Sequence, residues 1–290
     1  MASLADYAKT HPDINPDFTI DQGWDHYTPE EHDVWRTLYR RQADVLPGRA
    51  APEFLEGLTR LDLGEDRIPD FRRLNDELFK LTGWTVVAVP GLVPDDVFFE
   101  HLANRRFVAG QFIRKPEQLD YLQEPDIFHD VFGHVPLLAN PVFADYMEAY
   151  GKGGLRALGF HTLHNLARLY WYTVEFGLIE TSDGLRIYGA GIVSSKGESI
   201  FSLEDPSPNR VHFDLIRLMR TKYRIDDYQQ TYFVISDFKE LFDATVHKDF
   251  APIYEAMGTY EDVEPETVLK EDRIHHRGTQ DYARAKAGLS

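Results

Sequence analysis

The stretch Tyr121-Leu-Gln-Glu-Pro-Asp-Ile-Phe-His129-Asp-Val-Phe-Gly-His134-Val135 sets two imidazoles and three carboxylates (Glu124, Asp126 and Asp130) among large apolar side chains. The apolar residues draw this segment inside any fold, and burying so many polar groups is costly unless something binds them. A metal ion is the obvious candidate. His129 and His134 are five residues apart, so on a straight α-helix they point about 140° away from each other. That is off the single face used by a His-Glu-x-x-His zinc motif. Convergence requires the helix to bend or end between them, and Gly133 is the expected place. Pro125 and Asp126 suit a helix start there, and Pro136 is expected to close the helix just past His134. The alternative is two ordinary histidines on an amphipathic helix.

A third ligand is available. In the segment Leu163 to Ile179, apolar residues recur at 163, 166, 167, 170, 174 and 178, which is helical periodicity. Glu175 lies beside that stripe among Trp171, Tyr172, Val174 and Phe176, with Arg168 the nearest basic residue upstream. A carboxylate so placed protonates, finds a cation from elsewhere or binds metal. Cysteine is absent, so thiolate ligands and disulfides are excluded. Two neutral imidazoles and one carboxylate with open positions describe the facial triad of non-haem Fe(II) oxygenases. Zinc hydrolases use the same ligand kinds, so the ligands alone leave iron and zinc open.

Three motifs, Glu124-Pro-Asp-Ile-Phe-His-Asp-Val-Phe-Gly-His-Val-Pro136, Tyr170-Trp-Tyr-Thr-Val-Glu-Phe-Gly-Leu178 and Tyr188-Gly-Ala-Gly-Ile-Val-Ser-Ser-Lys-Gly-Glu198, closely resemble the catalytic domain of the pterin-dependent aromatic amino acid hydroxylases. The resemblance runs from about Asp17 to about Lys248. It implies hydroxylation of L-phenylalanine to L-tyrosine with O2 and tetrahydrobiopterin at Fe(II), in phenylalanine catabolism, with His129, His134 and Glu175 as the iron ligands. It further implies that Gly91, Val93, Phe98, Asp130, Ala167 and Tyr170 contact the pterin, for which an aromatic wall is suited. Arg114 is expected to pair with the substrate carboxylate, as bidentate guanidinium geometry favours, and Asp126 to orient it. Trp171, Gly191 and Ser194 are expected near the amino acid, Ser194 also supporting the first histidine. The chain departs from several relatives at Leu122, where they carry Thr. Ile225 is aligned where tyrosine-selective relatives carry Asp, which favours phenylalanine. Glu198 matches a motif carboxylate of the family.

The rest of the chain reads as one mostly helical α+β catalytic domain with a few short strands. Residues 1–27 form an extended arm docking through Phe18, Trp24 and Tyr27. Residues 28–260 carry the iron and pterin sites, and 261–290 form a peripheral helix and tail. Thr28-Pro-Glu-Glu31 is a capping box opening a helix to about Val45. Further helices are expected from Pro52, from about Pro69 to Leu81, over 141–157 ended by Gly-rich turns, over 210–221, and after a Ser236 cap. Strands are expected at Trp84–Val89, 107–114, 186–188 and 231–235, with a turn at 181–184. His161 and His164 fall at a helix entry, where capping or solvation is their expected use.

The sequence shows no apolar run long enough to span a membrane, and no signal peptide is expected from its first residues. Acidic residues outnumber basic ones 48 to 31, for a net charge of −17. That surface repels phosphate backbones. A cytoplasmic monomer without nucleic-acid partners is expected. Three other readings stay open: a zinc hydrolase with Asp130 or Glu198 as base, a binding protein whose histidines merely pack, and a tryptophan or tyrosine hydroxylase of the same family.

Overall fold

The computed structural model describes residues 3–288 apart from 121, 123, 161, 162 and 247. It is α+β and mostly helical. The chain gathers into two compact units, Met1–Asp44 with Pro52–Gly159, and Val45–Ala51 with Phe160–Ser290.

In the first unit the Thr28 box works as the residue types require. The Thr28 N–H and hydroxyl donate to the Glu31 carboxylate while the Glu31 N–H returns to Thr28 Oγ1, opening the helix Pro29–Val45. The helix Phe71–Thr82 starts on an Asp70 side-chain cap and stops at Gly83, whose φ of 74° only glycine adopts cheaply. Strands Thr85–Val89 and Arg106–Gly110 pair in parallel from Thr85↔Arg106 to Val89↔Gly110. Parallel neighbours need a crossover, and the helix Asp95–Ala103 supplies it.

That crossover helix packs closely on the helix Pro141–Ala157. The second helix has the expected 141–157 bounds, and glycine is needed inside it at Gly151 and Gly154. The reason is proximity: a Cβ on Gly151 would sit 2.4 Å from the Ala103 nitrogen, and one on Gly154 2.1 Å from Phe99 Cδ1. The N-terminal segment docks as expected but carries a short helix, Leu4–Tyr7. Phe18 is buried with Val89, Val93 and Val108, and Leu4, Tyr7 and Ile14 cover them. Ile20 bridges to Ala88, and the Trp24 indole N–H donates to Ile68 O at 2.7 Å.

The second unit is built on a five-stranded mixed sheet. In spatial order its strands are Gly184–Ile187, Leu178–Thr181, Thr231–Ile235, Asn209–His212 and Ile274–His276. The central strand is buried at every position, as its apolar run implies. The expected 210–221 helix is replaced by a strand, Asn209–His212, and a shorter helix, Leu215–Arg220, capped by the Asp214 side chain. Val211, Leu215, Leu218 and Met219 fit a helical period, but Val211 and Phe213 also fit a strand's alternation. Pairing to 231–235 decides for the strand. The cap after the central strand is Asp237, not Ser236.

The C-terminal stretch is more integrated than a peripheral tail. Ile274–His276 closes the sheet edge against 209–212, and Asp272 pairs with buried Arg217 at 2.9 Å. Among the described residues no helix is long and apolar enough to cross a membrane.

Candidate metal and substrate site

The two histidines stand on a π-helix, Phe128–His134, followed directly by an α-helical turn, Val135–Leu138. No bend at Gly133 is needed. In a π-helix the hydrogen bonds run from residue i to i+5, so side chains five apart share a face that an α-helix denies them. Pro136 does not end the segment. It occupies the first turn of the next helix, where its missing N–H costs nothing.

The unusual winding is held by aromatic packing. Phe128 and Phe132 stack at 4.7 Å between ring centroids. Trp35 packs edge-on to the first, and Tyr39 and Phe54 edge-on to the second. The His134 ring lies 4.9 Å from the Phe107 ring.

Glu175 ends a second π-helix, Trp171–Glu175, which continues the α-helix Leu163–Tyr170. The Phe176 N–H closes an i-to-i+5 bond on Trp171 O at 2.8 Å. Residues 189–191 lie against this turn, so a Cβ on Gly189 would fall 2.4 Å from Glu175 O. Arg168, the nearest base upstream, does not serve Glu175. It is buried and forked onto Asp262 at 2.6 and 3.0 Å. The buried face of the 163–170 helix carries Asn165, Leu166, Arg168 and Leu169, which leaves Ala167 and Tyr170 half-buried.

One ligand atom from each of His129, His134 and Glu175 lies within 4.8 Å of the other two. The two imidazole Nε2 atoms are 3.3 Å apart. Two lone pairs at that separation repel unless a proton or cation lies between them. Donors about 2.1 Å from one ion at 90–110° fall about 3.0–3.4 Å apart, so the pair fits a shared ion.

Beside the histidines lies a buried clamp. Asp126 is fully buried and accepts four bonds. Arg114 Nε and its backbone N–H reach Oδ2, both at 2.8 Å, Arg114 Nη2 reaches Oδ1 at 2.8 Å, and the His129 N–H reaches Oδ1 at 3.1 Å. Burial alone would push the Asp126 carboxyl up. The Arg114 bonds and charge outweigh it and hold the carboxyl below its ordinary range. The fork uses Nε and Nη2, and among the described residues Nη1 has no hydrogen-bond partner.

The other expected contacts are placed as follows. Asp130 accepts the Gly110 N–H at 2.7 Å. Val93 is buried in the apolar cluster with Phe18, and Phe98 packs on that cluster. Gly91 faces the Tyr7 hydroxyl, 2.8 Å from where a Cβ would stand, and the Glu124 carboxylate beyond it. The Trp171 ring stacks on Tyr223 at 4.3 Å and tilts against Phe176 at 4.8 Å. Ser194 donates to Ala190 O at 2.7 Å, and Gly191 lies in the short helix Ala190–Val193 before it. Ile225 is 72% exposed, so burial lends its use in substrate selection no support. His164 is exposed as expected. Tyr121 and His161 lie outside the described residues.

Glu198 is buried and accepts the Tyr232 hydroxyl and the Gln229 N–H at 3.3 Å. Burial pushes its carboxyl up to about 7, and those two bonds offset only part of that. Gln229 in turn accepts the Trp171 indole N–H at 3.0 Å. Nothing local in the sequence marks Gln229; the Trp171 indole that it binds is 58 positions away in the chain.

The sequence pattern of the family described as biopterin-dependent aromatic amino acid hydroxylase matches residues 18–266. The chain belongs to that family. Among its relatives, a phenylalanine-4-hydroxylase of Caulobacter vibrioides is 66% identical over 279 residues, covering 96% of this chain and 95% of the relative. The iron- and phenylalanine-bound crystal structure of the Chromobacterium violaceum phenylalanine hydroxylase matches with a TM-score of 0.88 at 56% identity, covering 94% of this chain and all of that one. A second structure of that enzyme, with iron(III) and 7,8-dihydrobiopterin, matches with a TM-score of 0.88 at 57% identity, covering 94% of this chain and 99% of that one.

Proposed function

We infer that the chain is a phenylalanine 4-monooxygenase that converts L-phenylalanine to L-tyrosine with O2 and a tetrahydropterin at non-haem iron. The observation that carries this reading is the convergence of His129, His134 and Glu175 in a chain so close to enzymes of that name. Those three residues would hold Fe(II). When bound, the tetrahydropterin would supply two electrons and the iron would activate O2, so that one oxygen atom could go to the para carbon of the ring and the other to the pterin.

The protein's share is binding, orientation and exclusion of water. Arg114 takes the substrate carboxylate through its uncommitted Nη1, while Asp126 keeps the guanidinium paired and aimed. Trp171 walls the substrate ring, with Gly191 and Ser194 near the amino acid. Gly91, Val93, Phe98, Asp130, Ala167 and Tyr170 line the pterin. No side chain here needs to act as a strong base. Of the two candidate bases for a hydrolase, Glu198 is already committed to Tyr232 and Gln229, which weakens that reading. Residues 28–260 carry this machinery; a cytoplasmic location fits the cysteine-free composition, and a role in phenylalanine catabolism follows from the proposed reaction.

The test is anaerobic loading with Fe(II), then addition of tetrahydropterin, phenylalanine and oxygen, with tyrosine measured. Pterin-independent hydrolysis with bound zinc would defeat the iron reading. Faster turnover of tyrosine or tryptophan than of phenylalanine would defeat the substrate assignment.

A further inference from the structure

Glu198 is a buried carboxylate to which the proposed reaction assigns no role, and what it holds is informative. Its acceptors fix the Gln229 backbone and the Tyr232 hydroxyl. The Gln229 side chain is 2% exposed and fully engaged. Its Nε2 donates to Arg224 O at 2.7 Å and to Asp227 O at 3.3 Å, so its Oε1 is turned to the Trp171 indole N–H at 3.0 Å. Those donor bonds also settle which end of the amide is oxygen. The turn carrying Gln229 is strapped from outside. The Tyr282 hydroxyl and Lys286 Nζ both bind Asp227, at 3.0 and 2.8 Å.

We propose that Gln229 is a positioning residue for the amino-acid substrate: its side-chain carbonyl holds the Trp171 indole at a fixed tilt on Tyr223, and Glu198 fixes Gln229. This rests on Trp171 being the wall for the substrate ring. A ring pinned by stacking alone still slides and rotates in its plane. One hydrogen bond at the indole edge removes that freedom and presents the same face to every substrate molecule.

The test uses the iron-loaded enzyme and four variants: Gln229→Met, Trp171→Phe, the two combined, and Trp171→Ala. Gln229→Met keeps the side chain's length and removes its acceptor. KM for phenylalanine should rise about three- to tenfold, the worth of one hydrogen bond, with KM for tetrahydropterin unchanged. In 1H–15N spectra one of the four indole N–H signals should move and three should stay. Trp171→Phe removes the same bond from the other side, so adding Gln229→Met to it should change nothing further. Full additivity of the two, or an unchanged KM in Gln229→Met while Trp171→Ala raises it, overturns the proposal. An unchanged KM in Trp171→Ala shows instead that the wall assignment beneath it is wrong. Should Gln229→Met not fold, Trp171→Phe alone decides, since an unchanged KM there also overturns the proposal.

Discussion

Replacing Asp126 by Asn changes one atom's chemistry and disturbs four hydrogen bonds. Each carboxylate oxygen of Asp126 accepts two N–H groups, three from Arg114 and one from His129. An amide has one oxygen, so its NH2 must face two donors, whichever way it turns. Two donors then lack acceptors at a site where Asp126 is fully buried and Arg114 is 9% exposed. An unsatisfied buried donor costs about 1–3 kcal/mol, and a buried pair broken from one side about 3–5 kcal/mol. We expect a loss of about 3–5 kcal/mol at pH 7, or a fall in Tm of roughly 6–20 °C for a chain this size. The Asp126 carboxyl is held below its unfolded value. Its contribution is therefore complete above the unfolded carboxyl range, near pH 4, and is lost as pH falls through the lower folded value. The gap between wild type and variant should be widest at neutral pH and close only in strong acid. With Arg114 no longer aimed, KM for phenylalanine should rise by at least tenfold. Thermal melts from pH 3 to 8 and steady-state kinetics measure both. A variant that melts within about 1 kcal/mol of wild type at pH 7 and binds phenylalanine normally would refute the clamp.

Further expectations follow from the same geometry. His129→Ala and Glu175→Gln should each lose most bound iron by elemental analysis while remaining folded; retained stoichiometric iron would show that the triad is not the metal site. Glu198 has a folded value raised to about 7 by burial, so its contribution is complete below about pH 4 and is lost as pH rises toward 7. Glu198→Gln should therefore gain on wild type in Tm between pH 5 and pH 8, and parallel melting curves would contradict that. Gly154→Ala drives a methyl into Phe99 and should destabilise by about 1–3 kcal/mol. At Gly153 an added Cβ would meet a flexible guanidinium nitrogen, Arg156 Nη2 at 4.0 Å, so Gly153→Ala should stabilise by up to about 1 kcal/mol; denaturant titration of the pair checks both signs.

Much of this protein is written locally. Thr28 and Glu31 announce a helix start because a capping box satisfies its own N–H groups within four residues. The apolar run 231–235 and the turn at 181–184 fall where expected because β-branched and turn residues act through their own backbone. The candidate ligands are legible for the same reason: imidazoles and a carboxylate among apolar neighbours demand a partner wherever they fold.

Other features have no local signature. The spacing of His129 and His134 forbids convergence on an α-helix, yet nothing in the segment announces a π-helix. Rings from two other helices, Trp35, Tyr39 and Phe54, stabilise that winding. Residues 209–212 satisfy two periodicities at once, and only a neighbouring strand chooses between them. Arg168 is the base nearest to Glu175 along the chain, but its partner Asp262 lies 94 positions away. Gln229 gains its role from Trp171, 58 positions away. The sequence alone determined which groups must be satisfied, since that is a property of each side chain and its neighbours. Tertiary structure decided what satisfies them, because hydrogen bonds and ring contacts act over a few ångströms of space regardless of separation along the chain.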